Sequence, residues 1–286
     1  MADRNHVNGR FSRELLELPT QGVAAACLLR LIDAPGDDAA DIAELATIVE
    51  SDVALSAQIL RLANGPAHGT AGRVSNVRQA MTVLTVPTVR AVALAATMRM
   101  VDGRPKAGPA GYWHHAVTTA ASTAAVARLV GYNEAEAFSV GLLHDLGGFL
   151  LHVQDANRFQ QSQGMTTPQS IDEVLTTERA LFGIDHAGAG AEALHAWGLP
   201  AHVVESVALH HVAVEITAVS VHALALILRA GEALALAGSR PVSGHCPIDP
   251  ARALGALSLG ESAVRTVAKI AEELLSGISI ALEAAA

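Results

Sequence analysis

Aromatic residues are scarce: five Phe, two Trp and two Tyr supply only 3% of the 286 residues. That scarcity argues against a sandwich with an aromatic-rich core. The 51% hydrophobic fraction is instead carried largely by Ala, Leu and Val, which suits close helix-on-helix packing and predicts an all-α fold. Cysteine is nearly missing as well. Cys27 and Cys246 are far apart and form no CxxC pair, so neither a disulfide framework nor a thiolate zinc site is expected. Basic residues are few, 19 against 28 acidic, for a net charge of −9. No Lys/Arg cluster is long enough to track a phosphate backbone, so nucleic acid is not an expected partner, and the acidity reads as a solubility feature. Apolar stretches are broken by Arg, Asp, Glu, His or Pro before reaching the roughly 20 residues that cross a bilayer, which predicts no membrane span. The polar opening at 1–10 leads into no secretory core, so a cytoplasmic location is expected.

What is present is helical periodicity. A chain of this length accommodates one large domain or two smaller lobes. Apolar residues recur at helical spacing over 11–32 and 41–63, as in Ile42, Leu45, Ala46, Val49 and then Leu55, Ile59, Leu60, Leu62. Asp37, Asp38 and Asp41 offer N-caps for the second segment, and Asn64-Gly65-Pro66 offers a stop. Residues 76–100 read as two helices interrupted at Pro87. The stretch DGRPKAGPAG (102–111) reads as a linker between an N-terminal lobe and the rest. Helices are then expected over 112–130, 134–153, 168–181, 187–197, 200–211, 216–237 and 260–283, with a loop over 238–250. No internal repeat is visible.

Of thirteen histidines, seven sit where a helical bundle can gather them: His114, His115, His144, His186, His195, His210 and His211. In GLLHDLGG (141–148) the pair His144-Asp145 interrupts an otherwise apolar helical pattern. A carboxylate buried there needs a compensating cation or hydrogen-bond donor. A divalent metal held by imidazole and carboxylate meets that need. So does a cap or salt bridge for Asp145 with a backbone hydrogen bond for His144. The doublet His210-His211 reads as the end of an apolar helix, where the helix dipole alone would favour it. Spacing leaves both readings open.

These residues carry a family resemblance. WHHA (113–116), GLLHDLGG, DHAGAGAEALHAWGLP (185–200) and ALHH (208–211) follow the order and approximate spacing of the HDOD (HD-related output) domain. Leu18-Pro19, ELATIVESDVALSAQILRLANG (44–65) and the apolar stretch 80–84 resemble that family's first lobe, so the likeness covers about 11–211. It implies a multi-helix bundle of two lobes: an HDOD domain over 11–212, split near 11–101 and 112–212, with C-terminal helices over 213–286. Relatives of HD and HD-GYP type are metal-dependent phosphohydrolases. Carried over by position, His115 matches the first metal ligand, His144 and Asp145 the eponymous pair, and His186, His210 and His211 the additional histidines. The implied cofactor is a divalent metal: zinc, iron or manganese.

The departures from the hydrolase pattern bear on function. Where those relatives carry a final aspartate, this chain reads LRAGEALA (228–235), with Gly231 near the aspartate position and Glu232 one residue further, about 100° around a helix. Gly148 replaces the lysine that often follows the His-Asp pair, and no GYP triplet follows the doublet. The expectation is therefore a non-catalytic regulatory module for signal transduction, binding a signalling protein partner or a small signalling ligand. The alternative is a phosphohydrolase acting on a nucleotide or cyclic dinucleotide.

Overall fold

In a computed structural model, the described residues are 24, 40–84, 88, 89, 92, 111–163, 170–212, 223–238 and 249–284. All regular structure among them is helical. The expected first helix (11–32, apart from Ala24), most of 85–110 including the linker, and most of the loop 238–250 lie outside this set.

The N-terminal part contains α1 (Ala40–Glu50), α2 (Val53–Ala63) and α3 (Val77–Val83), with a short 3₁₀ turn (Pro66–His68) after α2. Asp52 caps α2 by accepting from Leu55 N at 2.8 Å. α1 begins at Ala40, one residue before Asp41. The predicted stop after α2 holds: Asn64 donates to the carbonyls of Leu60 and Val74 and accepts from Val74 N, pinning the loop 65–74 against the helix end.

The central element is α4 (Tyr112–Val130), half of whose buried residues are alanine: Ala116, Ala120, Ala121, Ala124, Ala125 and Ala127. Small side chains let neighbours come close. α5 (Glu134–Leu143) approaches so tightly that a Cβ on Gly141 would lie 2.8 Å from Ala120 Cα. α11 (Ala223–Gly238) crosses at Gly231, where a Cβ would lie 2.5 Å from Thr123 Cα. The alanine content noted in the sequence is thus used to bring helix backbones together, and a single apolar core runs from Ala24 to Ile278.

The remaining helices are α6 (Leu146–Gln154), α7 (Ala156–Ser162), α8 (Ile171–Phe182), α9 (His186–Ala196), α10 (Ala201–Ala208), α12 (Pro250–Gly255) and α13 (Ser262–Ala284); α13 packs on α4, while α6 packs on α9 and α9 on α10. Three sequence expectations are corrected. The single helix over 134–153 is two, α5 and α6, broken at His144-Asp145. α7, absent from the sequence reading, is capped by Asp155, which accepts from Asn157 N and Arg158 N. α12, read as loop up to Pro250, starts on that proline with Asp249 as its cap. No helix among the described residues is long and apolar enough to cross a membrane.

Candidate metal centre

The break between α5 and α6 creates the site. In a continuous helix, adjacent residues point about 100° apart, so His144 and Asp145 would diverge. Here His144 ends α5 in helical geometry while Asp145 takes φ −96°, ψ 12°, the sparsely populated bridge region. The turn brings both side chains to one point, with His144 Nε2 3.5 Å from Asp145 Oδ2. What holds the turn is the contact that follows it. A Cβ on Gly147 would fall 1.8 Å from the His186 carbonyl oxygen and 2.5 Å from Gly190 N, so glycine is required for α6 to lie on α9.

Six side chains meet there. His115, in the first turn of α4, lies 3.3 Å from Asp145 Oδ2 and has its Nε2 3.2 Å from His144 Nε2. On the other side, His186 and His210 lie 3.6 and 3.7 Å from Asp145 Oδ1. His186 Nε2 is 2.8 Å from His211 Nε2. Asp145 therefore faces two groups, His115 with His144 and His186 with His210 and His211. All six are buried, none more than 9% exposed. His210 and His211 sit in the turn after α10 rather than at the helix end. His114 and His195, candidates by sequence, are exposed and stay outside the cluster.

Hydrogen bonds fix which ring nitrogen faces inward. His144 Nδ1–H donates to the Gly141 carbonyl at 2.7 Å, and His210 Nδ1–H to the Val207 carbonyl at 2.6 Å. His186 Nδ1–H donates to Glu178 Oε2 at 2.7 Å, and the His186 backbone N–H donates to the same oxygen at 2.8 Å. Since these acceptors cannot donate, each Nδ1 carries the proton and each Nε2 is the atom that faces the centre. His210 Nε2 is buried and makes no hydrogen bond among the described residues.

Two tethers outside the motifs set this arrangement. Glu178, fully buried on α8, orients His186 as carboxylates orient metal-binding imidazoles. Arg229 on α11 donates through Nη1 to the carbonyls of His210 and Val212 and so holds the doublet's turn. Glu178 had a sequence signal: it falls on the apolar stripe Val174, Glu178, Phe182, where an acid is out of place.

The electrostatics differ between the two sides. Burial pushes the His144 imidazole down to about 4 against the pull of Asp145, leaving it neutral. Burial would also depress His186, but the charge and hydrogen bond of Glu178, with Asp145 and Asp185 behind, lift it to about 9. Without a metal, the His186 proton can be given to His211 Nε2; a metal at this side replaces that proton.

The residues fit a divalent cation. Two atoms bound at about 2.1 Å to one ion lie about 3.0–3.4 Å apart, and the facing atoms here are separated by 2.8 to 3.7 Å. Imidazole nitrogens with a shared carboxylate suit zinc, iron or manganese. The ligands would be His115, His144 and Asp145 on one side, and Asp145, His186, His210 and His211 on the other. When bound, such an ion would supply Lewis acidity and the ability to acidify a bound water.

The sites of departure also have structural causes. Gly231 is where α11 touches α4, so no side chain fits there. Glu232, one residue further along α11, is fully buried. A Cβ on Gly148 would pack at 3.6 Å against the Phe159 ring, which stands where a longer side chain would extend.

The sequence profile of the HDOD domain matches residues 18–213. No curated protein matches the chain. Among solved structures, the fold is similar to the MmoQ response regulator from Methylococcus capsulatus strain Bath, with TM-score 0.67 and 24% identity over 88% of this chain and 97% of that one. It is also similar to a virulence factor (cj0248) from Campylobacter jejuni, with TM-score 0.63 and 16% identity over 94% and 99% of the two chains. With the profile spanning more than half of the sequence and including every residue of the buried His/Asp cluster, the chain belongs to the HDOD family.

Proposed function

We propose that this chain is a non-catalytic regulatory module of signal transduction, with lobes over 11–101 and 112–212, that binds a signalling protein partner or a small signalling ligand. Its His/Asp centre holds a divalent metal as part of the framework. The observation that carries this reading is enclosure. The six candidate ligands are at most 9% exposed, and Gly148, at the position where hydrolase relatives often carry a lysine, has no side chain to meet a phosphate. A hydrolase must admit a phosphoryl group to the metal and stabilise its charge. The similarity in fold to a protein described as a response regulator agrees with an output role.

A second reading, a phosphohydrolase acting on a nucleotide or cyclic dinucleotide, is favoured by one observation: every histidine carried over from the hydrolase pattern is gathered in one place. The test is metal analysis and turnover on protein purified without a polyhistidine tag. The proposal expects bound zinc, iron or manganese that is lost in His144→Ala and Asp145→Ala, together with no hydrolysis of bis(p-nitrophenyl) phosphate or cyclic dinucleotides. Turnover that disappears in His144→Ala would replace it with the second reading.

A further inference from the structure

A second concave site lies apart from the His/Asp centre. Five helices pack in a ring: α1 on α3, α3 on α5, α5 on α4, α4 on α13 and α13 back on α1. Between them is a cavity of about 430 Å3, and none of the six cluster residues lines it. That volume falls within the roughly 300–1,000 Å3 of small-molecule sites.

The lining combines apolar walls with an excess of acid. Phe138 from α5 and Leu274 and Ile278 from α13 supply apolar surface. The charged groups are three carboxylates, Glu50, Glu134 and Glu273, against one guanidinium, Arg78. Glu50 carries the most weight. It is only 4% exposed, and Arg78 Nη2 bonds its Oε2 at 2.9 Å. Glu50 Oε1 is buried and accepts no hydrogen bond among the described residues. A buried carboxylate with one oxygen unfilled is costly, and a second cationic donor relieves that cost. Arg78, itself half exposed, does not offset the burial, which raises the Glu50 carboxyl above its ordinary value. Glu134 is likewise held through Oε2, by Arg128 Nε and Nη2. An anion entering here would meet three carboxylates. A hard metal ion would meet apolar walls where it needs further oxygen ligands. An organic cation satisfies both halves of the lining, since its head donates charge-assisted hydrogen bonds and its body covers apolar surface.

We propose that this cavity binds an amphipathic organic cation, an ammonium on an apolar body, with its head at the Glu50 carboxylate and its body against Phe138, Leu274 and Ile278. This gives the binding-module reading a place and a ligand chemistry, and it rests on that reading.

The test titrates the full chain at neutral pH by calorimetry with three probes of similar shape: phenethylamine, phenethyl alcohol and phenylacetate. For the amine the expected Kd is about 1 mM or below, which is ordinary for so small a ligand. The alcohol should bind at least about tenfold more weakly, and phenylacetate should not bind. Glu50→Gln keeps the bond to Arg78 and removes the charge, so it should reduce the amine to the affinity of the alcohol. Gly277→Leu leaves every charge in place and adds a side chain at the cavity wall, where a Cβ meets nothing within 4 Å. Leucine also favours the helix over glycine, so this variant folds and should lose both the amine and the alcohol. Chelated protein should bind the amine as tightly as untreated protein. Parent-like amine binding in either variant overturns the proposal, as does equal binding of amine and alcohol by the parent. Amine binding that disappears with chelator also overturns it, because the nitrogen then sits on a metal. A parent that binds none of the probes overturns this cavity's assignment and leaves the module reading standing with a protein partner.

Discussion

Replacing Gly231 by alanine tests the idea that helix proximity, rather than lost chemistry, determines what stands at the position of the missing aspartate. The added Cβ would lie 2.3 Å from Thr123 Oγ1, 2.5 Å from its Cα and 2.6 Å from its N. Carbon atoms prefer about 3.5–4.0 Å, so α11 must retreat from α4 by about 1 Å. The hydroxyl can rotate, but the backbone atoms cannot. The penalty therefore belongs at the upper end of overpacking, about 3 kcal/mol, or a fall in melting temperature of about 6–12 °C for a chain of this size. Gly277→Ala is the control. Gly277 lies in the middle of α13 with nothing within 4 Å of a new Cβ, so alanine there should stabilise by about 0.5–1 kcal/mol. Thermal and urea unfolding of both variants with unchanged m-values gives the comparison. Gly231→Asp should be at least as destabilised as Gly231→Ala and gain neither metal affinity nor phosphodiesterase activity. A Gly231→Ala protein as stable as its parent would refute the argument from contact distance.

Other expectations concern the tethers and the titrating groups. Gly147→Ala places a Cβ 1.8 Å from the His186 carbonyl oxygen and should cost about 3 kcal/mol or more, with loss of bound metal, read by unfolding and elemental analysis. In chelated protein, the elevated His186, near 9 when folded against about 6.5 unfolded, contributes stability that is complete below pH 6.5 and lost as pH rises through 9. Glu178→Gln should flatten that decline in melting temperature, and an unchanged slope would remove Glu178 as its source. His144, held near 4, works in the opposite direction: its contribution is lost as pH falls from about 6.5 towards 4, and His144→Asn should remove that part of the acid limb. Ser170→Ala breaks the capping box in which Ser170 and Glu173 each accept from the other's backbone N–H, costing about 1 kcal/mol, visible as earlier fraying of α8 in hydrogen exchange.

Much of this was readable in the chain. The alanine-rich 112–130 helix ends where the periodicity said it would, at Val130 before Gly131. GLLHDLGG announced a buried acid beside an imidazole. Its break was hidden, because apolar residues continue on both sides of the His-Asp pair and the turn is held by partners distant in sequence, His186 and Gly190. His114 and His195 looked as eligible as His115 by count, yet each lies on the solvent side of its helix. Facing direction depends on which stripe is covered. Glu178 and Glu232 could have been flagged as acids on apolar stripes, Glu232 four residues after Leu228, but only the packing shows that Glu178 meets His186 and that Glu232 is buried. α7 was missed because ANRFQQS has little apolar content, although Asp155 advertised its start.

Asp145 turns one oxygen towards His115 and His144 and the other towards His186 and His210. A carboxylate divided in this way cannot give its full negative charge to both halves. A cation arriving at one half draws on charge that the other half would have used, so the two occupancies are linked by Coulomb's law at short range. Loading should proceed in two steps of unequal affinity, and neither half behaves as an isolated site while that one side chain joins them.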